Sequence, residues 1–244
     1  MSGGAVRVAA IVPAAGAGAR MELDRPKAFL ALGGRALLTL AVEAACACPA
    51  VGRVVVAVPK GWERRAEALL PEGDVRVVAG GASRQESVRL ALESVPAGVD
   101  AVVCHDAARA LATPALFDDV LRALNREAGG VVPVVPTTDT VKRVRGGWVV
   151  GTEPRDELAL AQTPQAFWVD PLREAHARAA REGKEFTDDA SLMEWAGHRI
   201  RTVPGEPDNI KVTRAEDLGR AGRVLEVREA PAEAPGWERR RTGG

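Results

Sequence analysis

The chain has 244 residues, and its 33 basic and 33 acidic side chains give a formal net charge of zero. This balance argues against a nucleic acid partner, which would need a strongly basic face, and no apolar run reaches the roughly 18 residues that span a membrane. The length and a hydrophobic content of 46% suit one α/β domain with a real core. Three sparse cysteines fit neither a disulfide framework nor a zinc site, and we expect a cytoplasmic protein.

Short valine-rich runs alternate with helical patterns in the first half of the chain. Strands are predicted over residues 6–12, 54–58, 75–78 and 99–104, and helices over residues 37–46, 62–70, 83–95 and 113–124. The strands are apolar almost throughout, which is typical of a sheet covered on both faces. The alternation therefore predicts an α/β fold with a doubly wound, mostly parallel, Rossmann-like sheet.

The pattern changes after residue 130, where strands follow one another without a helix between them. Strands are predicted at residues 131–135, 140–144 and 148–150, with a Gly-Gly turn at 146–147, and then at 200–203 and 209–212. Helices are predicted at residues 171–181, 188–195 and 213–227. We expect one domain over residues 1–229, with residues 136–156 as a protruding β-hairpin arm and residues 230–244 as a flexible tail.

A run of small residues follows the first predicted strand at residues 13–21, and Lys27 lies just beyond it. Small residues let the backbone approach a ligand, and glycine N–H groups bind phosphate. A dinucleotide fingerprint fails because Met21 stands where a small residue is needed, and no Walker sequence occurs. A turn with two solvated cations, Arg20 and Lys27, is the alternative explanation. The combination of a planar guanidinium with a point charge favours a polyphosphate ligand.

Two further predicted strand ends carry candidate site residues. Residues 80–83 (Gly-Gly-Ala-Ser) lead into a capped helix, which by itself indicates only a glycine turn and a helix start. The fourth strand ends at His105-Asp106, with Arg109 close behind. Asp106 suits either Mg²⁺ or a ribose hydroxyl, and the alternative is an Asp106–Arg109 pair that orients the turn. His105 is predicted to pack rather than catalyse, since no second histidine or acid stands at ligand spacing.

Seven motifs in this order resemble the 2-C-methyl-D-erythritol 4-phosphate cytidylyltransferase family across residues 6–228. They lie at residues 13–27, 80–81, 105–109, 139–142, 163–167, 187–191 and 208–213. The first motif is shared by many nucleotidylyltransferases, and the ordered set makes the resemblance specific. Ala110 departs from the family, which usually has proline there, and residues after 230 lie outside the resemblance. No cyclodiphosphate synthase domain follows, so we expect a chain that is not bifunctional.

The resemblance implies a nucleotidyltransferase fold and the transfer of CMP from CTP to 2-C-methyl-D-erythritol 4-phosphate. The products are 4-diphosphocytidyl-2-C-methyl-D-erythritol and pyrophosphate, in non-mevalonate isoprenoid precursor biosynthesis. It implies Arg20 and Lys27 as catalytic residues and Mg²⁺ near Asp106. The implied CTP-binding residues are Ala14, Ala15, Gly16, Gly18, Gly81, Ala82 and Ser87. The residues implied for the second substrate are Asp106, Arg109, Thr140, Arg155, Thr163, Thr187 and Lys211.

The arm is the part of the resemblance that concerns assembly. In the family such an arm, here with Thr140 and Arg155, crosses into the partner's site, which implies a homodimer with composite active sites. From the sequence alone, a salt bridge from Arg155 to Glu153 or Asp156 explains that arginine equally well.

Three other functions compete with this one. A ribitol 5-phosphate cytidylyltransferase is the nearest alternative, and residues 187–191 together with Arg155 favour methylerythritol phosphate over it. A regulatory module that binds a nucleotide without reaction is disfavoured because Arg20, Lys27 and Lys211 are all retained. An NAD-dependent oxidoreductase is disfavoured by the failed fingerprint and by the lack of an acid after the second strand.

Overall fold

The fold is given by a computed structural model that describes residues 6–16 and 25–230. Gly18 and Arg20, both expected at the nucleotide, lie outside the described residues, as do residues 231–244 of the expected tail. Within the described ranges, no helix is both long and apolar enough to cross a membrane. The limits of the domain and of the tail stay predictions.

The described residues form strands and helices that largely alternate along the chain. The strands are β1 (Val8–Pro13), β2 (Ala31–Leu32), β3 (Arg35–Ala36), β4 (Val51–Val58), β5 (Val75–Ala79), β6 (Ala101–Cys104), β7 (Gly130–Pro136), β8 (Lys142–Arg145), β9 (Trp148–Thr152), β10 (Ala159–Ala161), β11 (Gln165–Trp168) and β12 (Ile200–Pro204). The helices are α1 (Leu37–Cys46), α2 (Glu63–Glu67), α3 (Arg84–Glu93), α4 (Pro114–Ala123), α5 (Val169–Glu182), α6 (Asp189–Trp195) and α7 (Ala215–Glu229).

The central sheet is mixed but mostly parallel. Strands β5, β4, β1 and β6 lie side by side and run parallel. Strand β11 pairs antiparallel with β6 and β7, β10 pairs antiparallel with β7, and β12 pairs parallel with β7. The predicted α/β class and doubly wound sheet are confirmed. The antiparallel strands over residues 159–168 were not predicted, because that segment is neither rich in β-branched residues nor regular in its polarity.

Helices cover the sheet on both faces, and β1 shows how its sequence specifies this. All six residues of β1 are buried, and successive side chains point to opposite faces of the sheet. Val8, Ala10 and Val12 pack in a cluster with residues of α1 and α4, whereas Ala9 and Ile11 pack with residues of α3 and α5. The near-continuous apolar strand is therefore the consequence of two buried faces.

One predicted strand is wrong. Residues 209–212 have no regular secondary structure. A backbone hydrogen bond from the Val212 N–H to the Ala108 carbonyl, at 2.8 Å, fixes the segment instead, together with the fully buried side chain of Asn209. The segment therefore lies beside the end of β6 without extending the sheet. It carries Lys211 to that sheet edge.

The predicted arm is a separate two-stranded hairpin of β8 and β9. Gly146 and Gly147 have φ values of 55° and 83°, the positive values that a tight hairpin turn of this kind requires. Its exposed apolar side chains are Val144, Trp148, Val149 and Val150. An apolar surface of this kind is typical of an interaction site, although the homodimer itself stays a prediction.

Candidate active site

A cleft of about 380 Å³ lies at the ends of β1 and β6, where open α/β sheets bind their ligands. Its described lining residues come from five separate stretches of the chain. The predicted site residues that line it are Ala14, Ala15, Gly16, Lys27, Ser87, Asp106 and Lys211. Arg84 also lines the cleft, and sequence reasoning gave it no role. Of the residues that the structure describes, three cationic side chains and one carboxylate therefore line this cavity, in a chain whose overall charge is zero.

The loop before α3 is held by hydrogen bonds to its own helix. The Gly81 N–H donates to Ser87 Oγ at 3.1 Å, and the Ser87 hydroxyl donates to the Ser83 carbonyl at 2.8 Å. The Ala82 N–H donates to Glu86 at 2.7 Å. Ser83 caps the helix as predicted, but the Glu86 carboxylate binds Ala82 rather than closing the capping box on Ser83. The Ser87 hydroxyl thus fixes the conformation of this loop, whose residues Gly81 and Ala82 the resemblance assigns to CTP binding.

This loop lies against the one that follows β1. A Cβ atom built on Gly80 would stand 2.6 Å from the Cβ of Ala15 and 2.9 Å from Ser87 Oγ. Any larger residue would push the two loops apart. The glycine is required here by close approach of two loops, as expected where backbone and ligand must come together.

Asp106 follows β6 and pairs with two cations from distant parts of the chain. Its Oδ1 accepts from Arg84 Nε at 2.8 Å, and its Oδ2 accepts from Lys211 Nζ at 2.6 Å. The prediction of a carboxylate paired with an arginine is right in kind, but the arginine is Arg84 rather than Arg109. Arg84 extends the pairing into the core, since its Nη2 lies 2.8 Å from Oδ2 of Asp189.

The charges in this group stabilise one another. Burial raises the pKa of Asp106, but the charges and hydrogen bonds of Arg84 and Lys211 outweigh it and hold that pKa well below its usual range. Burial likewise raises the pKa of Asp189, and Arg84 and His176 bring it down to about 2. Burial lowers the pKa of Arg84, but the charges of Asp189 and Asp106 raise it by more, so the pKa is well above its usual value. Both carboxylates are therefore ionised at neutral pH.

His105 and Thr163 hold the end of β6 from behind. The Asp106 N–H donates to Thr163 Oγ1 at 3.0 Å, and the same hydroxyl lies 3.1 Å from His105 Nδ1. A neutral ring whose Nε2 faces a carbonyl accepts at Nδ1, so the Thr163 hydroxyl donates to it. The remaining nitrogen, Nε2, then carries the proton and donates to the Arg109 carbonyl at 3.1 Å. Burial lowers the pKa of His105 to about 4. His105 is a neutral packing residue, as predicted, and its ring makes a tilted contact with that of Phe117, with centroids 5.0 Å apart.

Arg109 serves the irregular segment rather than the cleft. Its Nη1 donates to the Asn209 carbonyl at 2.8 Å and its Nη2 donates to the Ala161 carbonyl at 3.0 Å. The Asn209 side chain in turn donates to the Thr163 carbonyl at 2.8 Å. These bonds attach the residues before Lys211 to β10 and to the turn after it. Both Nη atoms of Arg109 and the Thr163 hydroxyl are engaged in protein contacts, and the expected contact of these two residues with substrate stays a prediction.

Three predicted substrate residues stand away from this cleft within one chain. Thr140 and Arg155 belong to the arm and its base, and both are exposed. Arg155 makes only a long contact, 3.9 Å, with Asp156 and a 3.4 Å hydrogen bond to the Thr138 carbonyl. Thr187 is exposed just before α6. Their roles stay predictions, and for the two arm residues these rest on a second subunit.

The described residues do not by themselves make a magnesium site. None of them form a group of three or more His, Cys, Asp or Glu side chains suited to a metal ion. Asp106 is the carboxylate that lines the cleft, and both of its oxygens already contact cations. Mg²⁺ binds through few protein carboxylates when substrate phosphates supply the other ligands. This arrangement therefore fits a metal that arrives with a triphosphate better than one held by the protein.

A doubly wound sheet, a small-residue loop after its first central strand and a cationic cleft at the strand ends are features of a nucleotidyltransferase. The model of the 2-C-methyl-D-erythritol 4-phosphate cytidylyltransferase family matches residues 8–227. The chain belongs to this family, and it is therefore a CTP-dependent cytidylyltransferase. The predictions made from the motifs about family and activity are confirmed.

Individual relatives agree with this assignment. The chain is 46% identical over 227 residues to the 2-C-methyl-D-erythritol 4-phosphate cytidylyltransferase of Rhodococcus jostii, covering 93% of this chain and 98% of the relative. The crystal structure of the Thermus thermophilus enzyme of that name is 37% identical with a TM-score of 0.76, covering 90% of this chain and 99% of that one. A synthase structure from Anaerococcus prevotii is 28% identical with a TM-score of 0.79, covering 90% and 96%.

Proposed function

We propose that the cleft at the ends of β1 and β6 binds CTP and 2-C-methyl-D-erythritol 4-phosphate and transfers CMP from the first to the second. One observation carries this proposal: among the described residues, Lys27 and Lys211, far apart in the chain, line the same cavity together with Arg84 and one acid, Asp106. Such an excess of positive charge suits two polyanionic substrates that would otherwise repel each other. The small-residue loop after β1 provides the close backbone approach that a triphosphate needs.

The chemistry asks little of the protein beyond binding and charge. The substrate phosphomonoester has a second pKa near ~6 and is mostly a dianion at neutral pH, so its attack needs no general base. A phosphate oxygen attacks the α-phosphorus of CTP, the bond to the β-phosphate oxygen breaks in line, and pyrophosphate leaves. The enzyme therefore holds two anions in register and stabilises the charge that develops between them.

The cations divide this work by position. Lys27, which begins a short helical turn after the small-residue loop, is assigned to the triphosphate together with Arg20. Lys211, whose ammonium group pairs with Asp106, is assigned to the phosphate of the second substrate. A point charge on a flexible stem can follow a phosphoryl group as its geometry changes. Mg²⁺ is expected to enter as the complex with CTP, and no step is assigned to a metal on Asp106.

The assembly and the cellular location of the protein are further parts of this proposal. The hairpin arm, with its exposed Trp148, is proposed to pack on a second copy of the chain and bring Thr140 and Arg155 to that copy's cleft. We also propose that the protein works in the cytoplasm as a homodimer. Two observations support this role of the arm. Its apolar side chains are exposed, and Arg155 makes only weak contacts with the described residues of its own chain.

Pyrophosphate release tests the reaction and the choice of polyol together. Purified protein is incubated with CTP, Mg²⁺ and either 2-C-methyl-D-erythritol 4-phosphate or ribitol 5-phosphate, and initial rates give kcat/KM for each. We expect a strong preference for methylerythritol phosphate. Equal or faster turnover of ribitol 5-phosphate would overturn the substrate assignment. Omitting Mg²⁺ and adding a chelator should abolish release with either polyol.

A further inference from the structure

We propose that Arg84 and Asp189 are positioning residues that set the place of Asp106 and Lys211 in the cleft. The proposal rests on the assignment of Lys211 to the phosphate of the second substrate. Asp189 is not among the residues that line the cleft, and it acts through Arg84, which is. Neither residue was singled out by sequence reasoning, although Arg84 directly follows the glycine loop and Asp189 lies in the motif at residues 187–191.

Four charged side chains from four separate segments form one continuous row. Lys211 Nζ lies 2.6 Å from Asp106 Oδ2, Arg84 Nε lies 2.8 Å from Asp106 Oδ1, and Arg84 Nη2 lies 2.8 Å from Asp189 Oδ2. The side chains of Asp106 and Asp189 are 9% and 1% exposed, whereas that of Lys211 is 40% exposed. The row thus begins in the dry core between α3 and α6 and ends with an ammonium group in the cleft.

The inner end of the row is the fixed one. Asp189 is the first residue of α6, and the Asp188 side chain caps that helix by accepting from the Ser191 N–H. His176 on α5 lies with its Nε2 3.3 Å from the other oxygen of Asp189. Two helices therefore hold Asp189, and Asp189 holds the guanidinium of Arg84. The guanidinium of Arg84 is planar, it hydrogen-bonds to Asp106 through Nε and it forms an ion pair with Asp189 through Nη2. These two contacts limit its rotation, so its position is passed on to Asp106.

The outer end of the row needs this support. Lys211 lies on the irregular segment at residues 209–212, which is not itself a strand of the sheet. Its side chain is a flexible stem whose ammonium group would otherwise sample many positions. Asp106 gives that ammonium a defined partner only if its own carboxylate is held, and Arg84 does so from the side away from the solvent. The contact from Arg84 thus bears on substrate binding as well as on the core.

A structural role alone is the competing explanation. The ion pair between Arg84 and Asp189 also joins α3 to α6, and breaking a buried pair destabilises a protein whatever its function. Loss of activity would therefore not separate the two explanations. KM does separate them, because it does not depend on how much of the enzyme is folded, whereas Vmax does.

Three variants of the full-length protein make the test. Asp189→Asn keeps the shape of the side chain but removes the charge that anchors Arg84, and Arg84→Lys keeps the charge but cannot bridge both carboxylates. Arg89→Met is the matched control, since Arg89 lies on α3 in an exposed pair with Glu93. Initial rates of pyrophosphate release give KM for each substrate separately, and thermal unfolding reports stability.

We expect Asp189→Asn and Arg84→Lys to raise KM for the polyol phosphate about 10–100-fold, because a displaced binding group weakens a positioned contact. KM for CTP should change less than about threefold, and Arg89→Met should change neither value. The proposal is overturned if both KM values rise together, if neither rises, or if neither variant yields folded protein. A wild-type protein that releases no pyrophosphate with CTP and methylerythritol phosphate would instead refute the proposed function.

Discussion

One side of the cleft, formed by Asp106 with Arg84, His105 and Asp189 and called the wall below, differs from the arm at residues 136–156. The two differ in how far a single chain fixes the geometry of their side chains. In the wall, Asp106, Arg84 and Asp189 each have partners within 2.8 Å, and most of their surface is buried. In the arm, Trp148 is 79% exposed, and the nearest carboxylate to Arg155 stands 3.9 Å away. The same sequence thus encodes one half of the site tightly and the other half loosely.

The difference follows from solvent. A buried charge must be paired inside the chain that carries it, because an unpaired one costs several kcal/mol. An exposed arginine is satisfied by water and takes its working position only when a partner approaches. The wall is therefore complete in one chain, and the arm is expected to become complete only in a dimer.

The largest effect is expected in the cleft that the wall borders, at Lys27. Replacing it, as in Lys27→Met, should lower kcat by about 10²–10³-fold, because the developing charge on the phosphoryl group loses a preorganised cation. The measurement is the initial rate of pyrophosphate release at saturating substrates. Lys60→Met, which removes an exposed lysine from the loop after β4, is the control and should retain full activity. A Lys27→Met enzyme within about threefold of wild type would remove Lys27 from the chemistry.

The arm allows a test that distinguishes action within one chain from action across two. If Arg155 serves the partner's cleft, a dimer of one Lys27→Met chain and one Arg155→Ala chain has one intact site. Mixing equal amounts of the two inactive variants under conditions of subunit exchange should then restore about a quarter of wild-type activity, for a symmetric dimer. Rates before and after exchange provide the measurement.

The outcome separates the two arrangements cleanly. If Arg155 acts in its own chain, every site of the mixed dimer carries a defect and no activity returns. A protein that is monomeric in solution at full activity would also rule out the composite site. Sedimentation of each variant alone controls for loss of assembly.

The sequence predicts the residues of the cleft better than their pairing or the position of the arm, and the physical reason differs between the two regions. Lys27, Asp106 and Lys211 were found because they follow strand ends or fall in motifs. Arg84 was missed because a buried cation between two acids leaves no periodic signal and shows only when both acids are brought beside it. The exposed Thr140 and Arg155 were predicted from a resemblance, and a single chain cannot place them.

The fold shows the same division between local and distant determinants. Helix α1 has the predicted limits, Leu37–Cys46, because its apolar spacing is local. Strands β10 and β11 were not predicted, and the strand expected at residues 209–212 is irregular. Strands β10 and β11 form because they pair with β6 or β7, whereas residues 209–212 pair with no described strand. Whether a neighbouring strand is free to pair is not recorded in the local composition.

The wall also predicts how stability depends on pH. The pKa of His105 is about 4 in the folded protein against 6.5 for the free side chain, so the unfolded state binds more protons between these values. The free energy of unfolding should be unaffected by this group above pH 6.5 and fall as the pH decreases toward 4. The loss between pH 7 and pH 5 is expected to be about 2 kcal/mol.

Urea unfolding at the two pH values checks this expectation. The wild-type protein should lose about 2 kcal/mol more than a His105→Gln variant, in which the titrating group is absent. The comparison cancels the contributions of other histidines, because both proteins carry them. Equal losses in the two proteins would show that His105 is not held neutral by the wall.

The smallest predicted effect concerns the loop before α3, which is assigned to CTP binding. Ser87→Ala removes the hydroxyl that binds the Gly81 N–H and the Ser83 carbonyl. The Ser83 carbonyl keeps its bond from the Ser87 N–H, so the loss that bears on the loop is that of the bond to Gly81, and about 1 kcal/mol corresponds to roughly a fivefold change. KM for CTP should rise by that factor while KM for the polyol phosphate stays constant. Ser94→Ala, at the opposite end of α3, should change neither. A rise in the polyol KM would mean that the two halves of the cleft are not held independently.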